Sequence, residues 1–166
     1  MTQQEQNVFL CREYFEAVRY MNNAKEALQK ANKKDDGYYT DKKYVRTACG
    51  IAYNGVLVAL DAWFEIKNVE NSKKNNRKSV DFYKRNISSF DKKMSDYFDT
   101  VYDVLHLNGY YDGLLKVKTI QSGFEDAYKI IDKIKPENPI GVKESKTNAA
   151  KRIFDKLLIS ISVAFR

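Results

Sequence analysis

His106 is the single imidazole in a chain of 166 residues, which excludes a multi-histidine zinc site and leaves one ring for acid–base work. Asp96, Asp99 and Asp103 precede it at steps of three and four, and His106 follows Asp103 by three more. An α-helix places all four on one face. An acid-x-x-His pair of this kind supplies ligands in di-iron bundles, where the ligands project into the core. Here the face lies opposite the apolar stripe of Tyr97, Phe98, Val101 and Leu105. The expectation is a solvated acidic face with His106 open to water, and a surface or interfacial metal site is the alternative.

Two further sets of residues have the types and spacing for binding. Arg46 and Asp61 share the polar stripe of one helical pattern about four turns apart, too far to pair directly. With Tyr44, Tyr53, Tyr110 and Tyr111 they can line a cleft for a nucleotide or peptide, or else orient helices through hydrogen bonds. Lys73, Lys74, Arg77, Lys78, Lys84 and Arg85, interleaved with Phe82 and Tyr83, have the composition of a sequence-independent nucleic-acid contact, with cations for phosphate and rings for stacking. Solvated lysine loops share that composition. No glycine-rich phosphate loop follows a strand, and neither G-x-S-x-G nor H-E-x-x-H occurs. No catalytic residue and no cofactor is therefore assigned.

The elements that must hold these residues are helices. Seven glycines and two prolines are too few turn-formers for an all-β fold, and 43% hydrophobic with 31% charged side chains gives material for one domain. Leu10, Tyr14, Ala17, Val18, Met21, Ala24, Leu28 and Ala31 mark a first amphipathic helix, which a polar break ending at Gly37 closes. Thr40 or Asp41 can cap a second helix to about Lys67, apolar around most of its circumference and hence central. Residues 68–79 read as a basic surface loop. Tyr83, Ile87, Phe90, Met94, Tyr97, Phe98, Val101 and Leu105 mark a third helix with a possible restart at 88–91, ending near Asn108-Gly109. Val117, Ile120, Phe124, Ala127, Ile131 and Ile134 mark a fourth that Pro136 stops, and a fifth runs over about 147–166. The fold class is all-α, an up-and-down antiparallel bundle of four long helices plus a C-terminal fifth, in a single domain over 1–166.

The net charge of +7 is unevenly spread: residues 67–93 carry nine Lys/Arg against three Asp/Glu, and 94–141 carry five against eight. Such patterning favours a polyanion at one surface. Cys11 and Cys49 are far apart and each sits in a helical pattern, which points to reduced thiols. The start is polar and acidic and the longest apolar run, Val56–Leu60, is far below spanning length, so a cytoplasmic protein with no membrane contact is expected.

Residues 17–28, Ala-Val-Arg-Tyr-Met-Asn-Asn-Ala-Lys-Glu-Ala-Leu, resemble the first helix of the HEPN superfamily of small bacterial helical bundles. Lys43-Tyr44-Val45-Arg46-Thr47-Ala48-Cys49-Gly50-Ile51-Ala52-Tyr53 and Ala59-Leu60-Asp61-Ala62-Trp63-Phe64 continue the resemblance, as do 105–113 and Gly123-Phe124-Glu125-Asp126-Ala127, covering about 8–135. It is similar to an uncharacterised family within that superfamily. The resemblance implies a bundle of four or five helices, often dimeric, which is an RNase toxin, the partner of a minimal nucleotidyltransferase or a noncatalytic module. RNase members carry an arginine separated from the histidine by four to six residues, but Asp99, Thr100 and Val101 stand at those positions and the nearest upstream arginine is Arg85. RNase chemistry is therefore not carried over, and the chain is not expected to be an enzyme.

The leading expectation is a noncatalytic interaction module, dimeric through an apolar face of the second helix or the C-terminal helix, with a nucleotidyltransferase as a possible protein partner. The alternatives are an RNA- or DNA-binding protein using 73–85, in a toxin–antitoxin setting, and a metal-dependent enzyme on the Asp96, Asp99, Asp103 and His106 stripe.

Overall fold

The first helix, α1 (Gln3–Gln29), begins earlier than the apolar pattern suggests, because Thr2 and Glu5 form a reciprocal capping box. Thr2 accepts from the Glu5 amide and the Glu5 carboxylate accepts from the Thr2 amide. Tyr14, Ala17, Met21 and Ala24 are its buried residues, one line of the expected stripe. Between α1 and the next helix the chain turns through Gly37 and is tied down from both sides. Thr40 donates its hydroxyl to the Ala31 carbonyl at 2.7 Å, and the Tyr39 amide donates to the Leu115 carbonyl at 2.8 Å.

Asp41, rather than Thr40, caps α2 (Lys42–Ile66), its carboxylate accepting from the Lys43 amide. Buried residues recur almost all round α2, from Val45 and Ala48 to Ala62 and Phe64, so it is the central helix the sequence calls for. By length and composition alone α2 would cross a bilayer, but over half of its apolar window is covered by its neighbours, the pattern of a core helix.

The structure, a computed structural model, describes residues 1–70 and 78–136. Lys73, Lys74, Arg77 and the expected fifth helix lie outside these. The third helical pattern is realised in pieces. α3 (Val80–Phe90) ends where Asp91 leaves helical geometry and caps α4 (Lys92–Thr100) by accepting from the Met94 amide, which is the restart expected at 88–91. α4 then continues as a π-helical segment, Val101–Asp112, that Gly113 closes in the left-handed conformation at φ 68°. α5 (Val117–Lys133) buries Val117, Ile120, Phe124, Ala127 and Ile131, as its three-four repeat predicts.

α1 runs antiparallel to α2, and the α4–π-helical segment runs antiparallel to both α2 and α5. Tyr20 of α1 lies over Gly55 of α2, while Ala31 meets Thr40 and Asp41 at the turn. Along the α2 seam, Arg46 meets Tyr111, Cys49 meets Gly109, and Tyr53 meets His106. On α5, Gly123 sits against Leu105, the Lys129 ammonium lies 5.0 Å over the Tyr97 ring, and Lys133 is ion-paired with Asp91. The core is the contiguous set of Met21, Leu60, Phe64, Ile87, Phe98, Leu105, Ile120 and Phe124, all at about 2% exposed or less.

Candidate functional site

The π-helical stretch decides where His106 goes. Its i→i+5 hydrogen bonds widen the turn, so each residue advances the chain through a smaller angle than in an α-helix. Buried positions accordingly recur strictly every fourth residue, at Val101, Leu105 and Gly109, and Gly113 continues the series. Over the five residues from Val101 to His106 the difference accumulates and swings the imidazole toward α2. His106 therefore does not stand on the open acidic face expected for it. It lies on Tyr53 of α2, ring centroids 4.3 Å apart and 26° from parallel, with Tyr102, Tyr110 and Tyr111 around it at 5.3, 6.2 and 5.0 Å.

Sequence explains why this seam closes so tightly. A Cβ on Gly109 would stand 2.8 Å from the Cys49 Cβ, so only glycine lets the two backbones come this near. Next to it Tyr110 lies on Gly50. Beyond that, Arg46 donates to the Tyr111 carbonyl at 2.6 Å, satisfying an acceptor at the end of the helical segment. Burial holds the His106 imidazole below its ordinary value, so it is neutral at pH 7. Burial, with the neighbouring Tyr102, pushes the Tyr53 phenol up to about 12, and burial takes the Cys49 thiol to about 12 as well.

Of the residues proposed to line a cleft, Tyr53, Tyr110 and Tyr111 come together around His106 and Arg46 joins them through the Tyr111 carbonyl, while Tyr44 is met by the Lys43 ammonium. Asp61 does not join them. It lies fifteen residues along α2 from Arg46, about 22 Å at helical rise. There the Tyr83 hydroxyl donates to it at 2.7 Å and the Lys78 ammonium at 2.9 Å. Burial first, then the hydrogen bond to Asp61, raises the Tyr83 phenol well above its ordinary value.

Asp96, Asp99, Asp103 and His106 do not converge on one point in the structure. Among the described residues no three His, Cys, Asp or Glu side chains come close enough to share a metal ion. The imidazole has turned toward Tyr53, and Asp99 is ion-paired with Lys84 at 2.7 Å. Of the basic segment, Lys78 and Lys84 are thus held by carboxylates of this chain, while Arg85 is exposed. Tyr102 and Cys49, which the sequence reading did not place at a site, line the seam; the four-residue repeat from Val101 to Gly113 was the available signal.

Residues 12–136 match the family described as Domain of unknown function (DUF5618), and the chain belongs to that family. Among solved structures it is similar to a protein of unknown function from Dyadobacter fermentans, at 43% identity and a TM-score of 0.66, over 74% of this chain and 94% of that one. No curated protein matches the chain.

Proposed function

We propose that this member of the DUF5618 family is a noncatalytic, HEPN-like interaction module that works in the cytoplasm as a homodimer. The observation that carries the reading is an apolar flank of α1 that the described residues leave partly open. Val8 and Phe15 are 52% and 51% exposed, and the partly exposed Cys11 and Val18 complete a stripe at steps of three, four and three. Such a stripe on an amphipathic helix is made to be covered. Of the two faces expected from the sequence, α2 contributes none of the exposed large hydrophobic residues, and the C-terminal helix lies outside the described residues.

His106 supports the noncatalytic part. Its described neighbours are tyrosine rings, and burial alone accounts for its lowered pKa, so no charged partner tunes it for proton transfer. A nucleotidyltransferase as a further protein partner belongs to the same reading.

Light scattering on the purified chain is expected to give twice the 19.3 kDa chain mass, and Phe15→Glu is expected to give the single mass with an unchanged helical circular dichroism spectrum. A wild-type chain that stays monomeric at every concentration, or a dimer untouched by Phe15→Glu and Val8→Glu, overturns the dimer. RNA cleavage lost in His106→Ala overturns the absence of catalysis.

A further inference from the structure

The two ends of α2 treat their cations differently. At one end Lys78 is bound to Asp61, and nearby Lys84 is bound to Asp99. At the other, about 28 Å away along the helix, Lys42 lies over Gly113, and Lys116 follows three residues later. Both are exposed, and among the described residues neither has a carboxylate partner. Arg46 is exposed beside them, fixed by its bond to the Tyr111 carbonyl. In the same neighbourhood Leu107, Tyr110 and Tyr111 are 37%, 45% and 59% exposed, and on the wider turn the four-residue step from Leu107 to Tyr111 keeps those two on one side.

We propose that Leu107, Tyr110, Tyr111, Arg46, Lys42 and Lys116 form the docking surface for an acidic peptide segment of a partner protein, one that carries an apolar side chain among its carboxylates. This rests on the interaction-module reading and names the partner's chemistry. Tyrosine and arginine are the residues that dominate protein interfaces, since each offers a large contact area with a polar tip. Lys42, Arg46 and Lys116, none of them in an ion pair among the described residues, outnumber the exposed Asp112 between Tyr111 and Gly113, so the surface attracts an acidic segment and disfavours a basic one. The ring arrangement selects a peptide over a nucleic-acid strand. Tyr110 and Tyr111 stand edge to face, 71° apart at 5.1 Å, which makes a notch for one side chain and not the parallel faces on which successive bases stack. Leu107, one wide turn before Tyr111, adds exposed apolar surface on that side.

The test is selection of a random dodecapeptide display library on the full-length chain, followed by affinity measurement on synthetic versions of the enriched peptides. Enriched sequences are expected to be acidic with one aromatic or aliphatic residue. Their affinity is expected to fall about tenfold in Tyr111→Ala, to recover in Tyr111→Phe, to fall in Lys42→Glu and Lys116→Glu, and to hold in Lys78→Glu. Tyr111 and the two lysines are exposed, so these variants fold. No enrichment, enrichment without acidic residues, or affinity indifferent to Tyr111 and the lysines overturns the proposal. Tighter Tyr111-dependent binding of a single-stranded oligothymidylate does so as well, and identifies the surface as a nucleic-acid site. The mass of the wild-type chain and of Phe15→Glu is read separately, so loss of the dimer and loss of peptide binding are told apart.

Discussion

His106 lies nearly flat on Tyr53, a stack that joins the π-helical segment to the central helix at 4.3 Å between ring centroids. Burial holds the imidazole below its ordinary value. The unfolded chain binds this proton near pH 6.5, whereas the folded chain binds it only at lower pH. Between those values the unfolded state carries more protons, so stability falls as the pH drops below about 6.5 and levels off once the folded imidazole is protonated too. The urea midpoint is expected to fall less on acidification in His106→Phe, which keeps the stack and loses the titration. An imidazole that titrates by NMR at or above the value of a free histidine would refute this account of the seam.

The Cys49–Gly109 contact makes a sharper prediction. A methyl group at Gly109 has no room beside Cys49, so Gly109→Ala is expected to cost about 1–3 kcal/mol of unfolding free energy, the range for overpacking a filled site. Cys49→Ala removes the sulfur, one of the two obstructing atoms, and leaves the Cβ at 2.8 Å, so it relieves the contact in part. In a double-mutant cycle the pair is expected to be less destabilised than the sum of the single changes, by more than the roughly 0.5 kcal/mol seen for independent sites. Additive losses in the denaturant midpoints would place Gly109 away from Cys49.

How far the sequence could be read depends on how local each determinant is. α5 follows its three-four repeat from Val117 to Ile131 because that repeat is the α-helical period itself. Asp41 is a cap whose signal lies within three residues of the amide it serves, and it was legible. The restart at 88–91 was legible too, but not that Asp91 itself is the cap while Ser88 and Ser89 stay inside α3. Thr2 and Glu5 were equally local but stood ahead of the apolar stripe that defined the helix. The placement of His106 was not legible in the same way. Reading Asp103 and His106 with an α-helical period assumes the regular turn persists, and the wider turn that replaces it follows from which residues meet α2. An α-register carried on from Leu105 would bring Asp112 toward the core. The wider turn keeps Gly109, which is small enough for Cys49, and brings in Gly113 while Asp112 stays exposed. Arg46, Tyr53, Tyr110 and Tyr111 lie along one polar and aromatic seam, whereas Asp61, about four turns from Arg46 on the same stripe, takes Tyr83 and Lys78 as partners, residues that helix phase alone does not point to.

Tyr83 and Asp61 supply the one side-chain hydrogen bond from a buried tyrosine to a carboxylate in the described part of the chain. Asp61 is half exposed and also holds Lys78, so it keeps a partner when the hydroxyl is removed. Tyr83→Phe is therefore expected to cost only about 1 kcal/mol, near the typical net worth of a hydrogen bond. Lys78→Ala is expected to cost less than that, since the pair is partly solvated. Urea unfolding of the two variants checks the order. A larger loss in Lys78→Ala than in Tyr83→Phe would mean the ion pair, and not the phenol, orients α3 on α2.

Asp91 has two tasks that substitution can separate. One carboxylate oxygen caps α4 by accepting from the Met94 amide at 2.9 Å, and the other is ion-paired with Lys133 of α5. The Lys133 bond first, and the Met94 amide second, hold the carboxyl below its ordinary value. A carboxyl depressed in the folded state contributes stability that is present above the unfolded value, about 3.9, and is lost as the pH falls through the folded value. Asp91→Ala removes both tasks, and the cap alone is worth about 1 kcal/mol. Asp91→Asn keeps the capping oxygen and removes the charge. At neutral pH the Asp91→Asn protein is expected to be more stable than the Asp91→Ala protein, because an exposed ion pair contributes little beside the cap. Between about pH 5 and pH 2 the wild type should lose stability relative to Asp91→Asn, since only aspartate titrates there. Parallel pH curves for wild type and Asp91→Asn would show that the proximity of Lys133 has no energetic consequence, leaving the cap as the whole of what Asp91 does.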